Sequence, residues 1–363
     1  MSKEILIKSF FCCRERNNIL KKKIIKRYNL KIMIKLLYVT YEWNFSKTCS
    51  SVFFFEILKK FFDVELFIIK DNKDLDYNKI NNPLYGSVVF FQCEPDFSKI
   101  TNPNTVFVPM YDTFGFTHSS ISALKNIKLI NFSRKLHKEA LRYGIKSFYL
   151  QYYPKIDSSK IKNINRNRIF FWQRQKWNPE ILFRVFPEDL KTIGIEYINL
   201  HSTEYKESNT RNETYKNAQV CKTSWFEKKE DLTNLLNETK YYFAPRDKEG
   251  IGFSFIDALA KGCVIIAHNE GTMNEYIVNN KTGYLINFKN PKKIHFKDFS
   301  TIQKASLESV VEGRKRFEQT IPLLAEFIES KKLKSNEFRH ALGLFIYLFV
   351  RVWNKVMRLL RVK

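Results

Sequence analysis

A chain of 363 residues is long for one hydrophobic core and comfortable for two α/β domains of ordinary size. Hydrophobic residues make up 44% and aromatic residues 15%, led by 33 Phe, which excludes wholesale disorder because the apolar material offsets chain entropy. The net charge of +25, from 62 Lys and Arg against 37 Asp and Glu, favours polyanions, anionic lipid headgroups or phosphorylated substrates without choosing among them. The codon bias of an AT-rich genome accounts for part of the same composition.

Ile5 to Cys13 is apolar but brief, is broken by Lys8 and runs into Arg14, Glu15 and Arg16, a pattern that does not read as a signal peptide. Residues 1–31 carry Lys21, Lys22, Lys23, Lys26 and Arg27 and read as a basic leader. The six Cys form no Cys-x-x-Cys pair, so reduced cytosolic thiols are expected and a zinc site is not.

The fold signal begins at Ile34 to Val39, a compact apolar run suited to a buried parallel strand. A helix is expected over Ser51 to Phe62 from the spacing of Phe54, Ile57, Leu58 and Phe61, then a strand over Val64 to Ile69. Strands at Val88 to Phe91, Val106 to Val108 and Leu129 to Phe132, a helix over Arg134 to Tyr143 stopped by Gly144, and a last strand over Tyr149 to Pro154 complete a first Rossmann-like domain, placed at 32–160. Its linker is the Lys-, Asn- and Ser-rich stretch from Lys155 to Asn167.

A second domain, 161–333, opens with a strand at Arg168 to Trp172 and a helix after Asn178-Pro179. It continues through a strand at Ile195 to Leu200, a helix near Asp231 to Asn237 and a strand at Tyr241 to Ala244. A helix over Phe253 to Ala260, a strand over Val264 to Ala267, a short helix after Gly271 and a strand near Tyr284 to Ile286 close the series. Beyond it, Ile302 to Ile328 reads as a helix packing back onto the first domain. Ala341 to Leu360 is apolar, with Arg351, Lys355 and Arg358 at helical spacing; the reading is a basic amphipathic tail, 338–363, lying on an anionic membrane surface.

The chemistry concentrates in Ala244-Pro245-Arg246-Asp247-Lys248-Glu249-Gly250-Ile251-Gly252-Phe253, followed by a helix containing Asp257. A buried strand leads here through an acid and a Gly-x-Gly turn into a helix, whose first-turn N–H groups point forward and suit a diphosphate. Asp257 sits at least one turn in, within reach of a ribose hydroxyl. Downstream follow Cys263 to Ala267, Asn269-Glu270-Gly271-Thr272-Met273-Asn274-Glu275 and Asn280-Lys281-Thr282-Gly283.

Together these blocks resemble the donor domain of retaining GT-B glycosyltransferases of the large family 4 group. The likeness is close over about forty residues and one of layout elsewhere. It implies a two-domain GT-B fold with a central cleft and a nucleoside diphosphate sugar as donor, with no cofactor and no metal. Glu249 occupies the first acid of a Glu-x7-Glu motif and would meet the donor sugar. Gly250, Ile251, Gly252 and Phe253 would contact the diphosphate, and Asp257, where the family has Glu, would bind ribose. Arg174 and Lys176, just after the first strand of the domain, would neutralise the leaving diphosphate.

In the first domain, the loop Pro109 to Gly115 leaves a strand at the carboxyl edge of the sheet, which makes Asp112 and His118 candidates for the acceptor side. The family's glycine-rich loop after the first strand is replaced here by Tyr41 to Ser46. Asp74-Leu75-Asp76 matches Asp-x-Asp but lies in a polar stretch away from a strand end, so metal ligation is not expected.

The function expected is glycosyl transfer with retention to a lipid-linked or surface-polysaccharide acceptor, at the cytosolic face of a bacterial membrane. The rival is a non-catalytic basic GT-B-like protein that binds membrane or nucleic acid. Nucleic-acid binding is disfavoured because no recognition motif accompanies the cations. An epimerase or dehydrogenase would carry an early Gly-x-Gly-x-x-Gly, which is missing from the sequence.

Overall fold

The computed structural model describes residues 33–156, 165–173, 177–202, 213–224, 226, 228–330 and 337–360, without the side chains of 229, 337–340, 351 and 354–360. Two sheets organise it. The first contains β1 (Lys35–Tyr41), β2 (Asp63–Ile69), β3 (Ser87–Phe91), β4 (Thr105–Val108), β5 (Lys128–Asn131) and β6 (Ser147–Tyr149). They are paired parallel in the order β2-β1-β3-β4-β5-β6. Leu36 to Val39 and Val88 to Phe91 are fully buried, as continuous apolar runs must be when helices cover both faces of a sheet. The cover comes from α1 (Val52–Leu58), α2 (Tyr77–Ile80), α3 (His118–Ala123) and α4 (Arg134–Arg142).

The second sheet contains β7 (Arg168–Trp172), β8 (Tyr197–His201), β9 (Thr214–Tyr215), β10 (Ala218–Thr223), β11 (Thr239–Ala244), β12 (Val264–His268) and β13 (Gly283–Ile286). Their order is β13-β12-β11-β7-β8-β10-β9, parallel except for β9. Helices α5 (Glu180–Val185), α6 (Lys229–Glu238) and α7 (Phe253–Ala260) accompany it. In both sheets the strand order reverses beside the first strand, creating the crevice at the carboxyl ends where open α/β sheets bind ligands.

The strand expected over Tyr149 to Pro154 ends instead at Tyr149. The main chain beyond it bonds to the second half: Tyr276 donates to the Tyr152 carbonyl at 2.9 Å and Arg314 to that of Tyr153 at 2.8 Å. The sequence pattern does not predict the antiparallel β9–β10 hairpin. It turns on Lys216 and Asn217, both left-handed with φ of 46° and 66°, the geometry of a type I′ turn built here without the usual glycine.

Helix α8 (Phe299–Glu329) starts on the second sheet and crosses to the first, where Phe327 lies 5.3 Å from Phe148 and Phe317 lies 5.4 Å from Tyr152 between ring centres. Its carboxyl end is capped from β5. Lys128 Nζ donates to the carbonyls of Phe327, Ile328 and Ser330 at 3.0, 2.6 and 3.0 Å, and also to Asn104. Burial, and after it the neighbouring Lys146 charge, pull the Lys128 pKa down to about 7. Because the folded pKa lies below the unfolded one, the native state releases a proton that the unfolded chain keeps. The contribution of Lys128 to stability is therefore expected to rise as pH climbs from about 7 towards the ordinary lysine value. Lys128→Met should flatten that slope in denaturant titrations run across this range.

Helix α9 (Glu337–Leu360) docks on the first domain. A Cβ on Gly343 would lie 2.6 Å from the Tyr143 backbone, and the Tyr347 ring meets that of Tyr143 at 5.8 Å. Away from this seam Phe345 is 66% exposed, Phe349 59% and Trp353 56%. Among the described residues no helix is long and apolar enough to cross a membrane.

Candidate active site

The loop between β11 and α7 carries the candidate donor residues. Tyr241 to Ala244 are buried, which fixes where the loop begins. Gly252 ends it at φ +85°, and a Cβ there would lie 2.0 Å from the Phe255 ring, so conformation and space both require glycine. Gly252→Ala is expected to cost roughly 1–3 kcal/mol for the left-handed backbone alone, with more from displacing Phe255, read as a lowered melting temperature. At Gly250 a Cβ would lie 2.9 Å from Asp112 Oδ1 and 3.0 Å from Met110. Glycine here lets the loop touch the strand-end loop of the first domain.

Two of the expected acids come together at that contact. Arg246 donates through Nη1 to Glu249 Oε2 at 3.1 Å, and its Nη2 lies 3.6 Å from Asp112 Oδ2. Glu249 is only 5% exposed. Thr272 secures the loop from below, its hydroxyl donating to the carbonyls of Glu249 at 2.7 Å and Gly250 at 3.2 Å. Trp177 donates to Asp247 at 2.9 Å, and Lys248 lies 5.0 Å from the centre of the Tyr111 ring. The sequence reading missed Arg246; its only signal was a cation three residues before an acid in a strand-end loop.

Other candidates stand apart. His118 is exposed at the first position of α3, and among the described residues no contact joins it to Asp112, Arg246 or Glu249. Asp257 is exposed on α7, where its charge acts on Tyr152. Arg174 and Lys176 lie outside the described residues; Gln173 and Trp177, which flank them, follow β7 directly beside β11. Asp74 accepts from the backbone N–H of Lys70 and Asp71, and Asp76 caps α2, so both acids of the Asp-x-Asp match serve local turns.

The turn itself differs from expectation. The sequence predicts a turn with open amide groups, yet Gly250, Ile251 and Gly252 are buried. The cover comes from the first domain: Met110 and Asp112 press on Gly250, while Phe53 and Tyr152 each meet the Phe253 ring at 5.2 Å. Aromatic edges packed in this way hide apolar area that either half alone would expose.

Glu275 locks the same seam. Both of its carboxylate oxygens lie 2.8 Å from the Arg134 backbone N, which donates to them, and Ser133 and Tyr149 donate hydroxyls at 3.2 and 2.8 Å. The Ser133 side chain makes no cap of its own for α4, so a carboxylate from the second domain fills the role at the positive end of the helix. Burial, and then the Glu275 charge, drive the Tyr149 pKa well above its ordinary value, which keeps that hydroxyl a donor. Nearby, Lys135 pairs with Glu270 at 2.5 Å. On the outer side of the Asp112 loop, a cavity of about 320 Å³ opens between the segments after β3 and β4, with Asp96, Phe97, Phe114 and Ser120 in its walls.

Residues 190–300, which contain the whole loop, α7 and Glu275, match the family described as glycosyl transferases group 1. That segment is similar to the group 1 glycosyl transferases. No curated protein sequence matches it, but solved structures share its fold. One is a glycosyltransferase from Rickettsia africae, 15% identical, covering 82% of this chain and 99% of its own, with a TM-score of 0.57. Another is Alr3699/HepE of Anabaena in complex with UDP-glucose, 12% identical, covering 80% of this chain and 98% of its own, with a TM-score of 0.50. The chain thus has the GT-B architecture over both sheets, while the family match covers residues 190–300, the segment that carries Glu249 and Asp257.

Proposed function

We propose that this glycosyltransferase moves a sugar from a nucleoside diphosphate sugar to a lipid-linked or surface-polysaccharide acceptor, with retention at the anomeric carbon. The observation that carries the reading is the buried Glu249, held by Arg246 at the foot of a Gly-x-Gly turn that opens α7. A carboxylate kept there can accept hydrogen bonds from sugar hydroxyls while the diphosphate meets the helix amino end. The fold shared with the UDP-glucose complex supports a donor of this class. Arg174 and Lys176 would stabilise the leaving diphosphate without a metal. Asp112 faces the acceptor side.

Because the turn is covered, the donor enters when Phe53 parts from Phe253, and the domains then close over it and exclude water. The test is a thermal-shift screen with uridine, guanosine and cytidine diphosphates and their sugars, repeated on Arg174→Ala. A specific shift in the parent that Arg174→Ala loses supports the reading; silence with every nucleotide favours the non-catalytic rival.

For the acceptor side, α9 supports binding at an anionic membrane surface, since its docked face leaves Phe345, Phe349 and Trp353 outward. The cations counted for this helix, Arg351, Lys355 and Arg358, have side chains outside the described residues. Replacing the three aromatics by Ser is expected to release the protein from sedimenting phosphatidylglycerol vesicles; retention on the vesicles would count against the membrane role.

A further inference from the structure

Arg246 belongs to the loop that carries Glu249, yet it reaches across the seam to Asp112. The Arg246 side chain is 19% exposed, with Asp112 at 17% and Glu249 at 7%, so the three charges lie largely out of water. The contact with Glu249 is made within one loop and survives any separation of the domains. The contact with Asp112 exists only when the first-domain loop sits on Gly250. One guanidinium is therefore permanently bound to the acid proposed to meet the donor sugar, and conditionally bound to the acid on the acceptor side.

A role limited to stability accounts poorly for this arrangement. The cross-domain contact is long, at 3.6 Å, whereas the seam is already held by Glu275 and Lys135 with shorter bonds. Among the described residues Arg246 Nε, moreover, is buried without a hydrogen-bond partner, a cost that calls for an explanation beyond packing. Lysine has no planar fork with which to span two carboxylates.

We propose that Arg246 is a positioning residue of the transfer reaction: it sets Glu249 against the donor sugar and registers it with Asp112 as the domains meet, joining donor and acceptor sides into one unit. This rests on the nucleotide-sugar reading given above. It predicts that Arg246 acts on turnover in the assembled site and little on donor binding.

The experiment follows the slow hydrolysis of UDP-glucose and GDP-mannose by the full chain, with water taking the sugar and the nucleoside diphosphate released, and initial rates fitted for kcat and KM. Arg246→Met should lower kcat by about 100-fold and change KM by less than about 3-fold, while Arg246→Lys retains roughly a tenth of the parent rate. Arg246→Ala should recover part of its rate when guanidinium is added at millimolar concentration, a response that a structural defect would not give. Should Arg246→Met fail to fold, the comparison of Arg246→Lys with Asp112→Asn decides, since both should lose kcat and keep KM. Unchanged kcat in the variants, or losses confined to KM with no guanidinium rescue, would overturn the role of Arg246 alone. Failure of the parent to consume either sugar nucleotide, together with no thermal shift from any nucleoside diphosphate, would overturn the donor reading and this role with it.

Discussion

Glu249→Gln is expected to lower turnover of the sugar nucleotide by about 10²-fold or more while the protein still binds the corresponding nucleoside diphosphate. The substitution keeps the shape of the side chain and removes its charge. Arg246 would then lose a charge-assisted bond of 3.1 Å in a nearly solvent-free place, at a cost of roughly 1–3 kcal/mol to the fold. Diphosphate contacts belong to the backbone of Gly250 to Phe253 in this account and are untouched. Initial-rate measurements beside calorimetric titration of the diphosphate separate the two effects. Equal loss of binding and rate would place Glu249 in a purely structural role.

Glu275→Ala should cost roughly 1.5–3 kcal/mol of stability, by leaving several donors on the first domain without their charged acceptor. The Arg134 N–H at the head of α4 and the hydroxyls of Ser133 and Tyr149 all converge on this carboxylate. Glu275→Gln keeps one acceptor oxygen and should cost less. The seam should also loosen, so limited proteolysis near residues 150–156 is expected to accelerate in Glu275→Ala. A melting temperature unchanged in that variant would mean that the aromatic contacts hold the halves together unaided.

Much of the fold was legible because parallel strands buried on both faces read as apolar runs. Arg168–Trp172 and Phe253–Ala260 fall on the residues expected of them. What escaped the sequence is what depends on the other half of the chain. Tyr152 and Tyr153 have the composition of a strand, but their carbonyls are taken by Tyr276 and Arg314, more than a hundred positions away. Lys216-Asn217 turns a hairpin without glycine, so no local punctuation announced it. In the site, the Gly-x-Gly turn and Glu249 were readable from local pattern. Arg246, the capping by Glu275 and the cover from Phe53 were not, because each gains its meaning from a partner on the opposite sheet. His118, placed on the acceptor side with Asp112 by the same loop, stands at the start of α3, and no described contact joins it to the acid pair.

The most direct test is a structure of the protein with a hydrolysis-resistant sugar nucleotide bound. The account predicts the diphosphate at the amino end of α7, against the main chain of Gly252 and Phe253, with Glu249 at the sugar and the Phe53 ring withdrawn from Phe253. A nucleotide seated elsewhere, with Phe53 and Met110 still covering the turn, would contradict it.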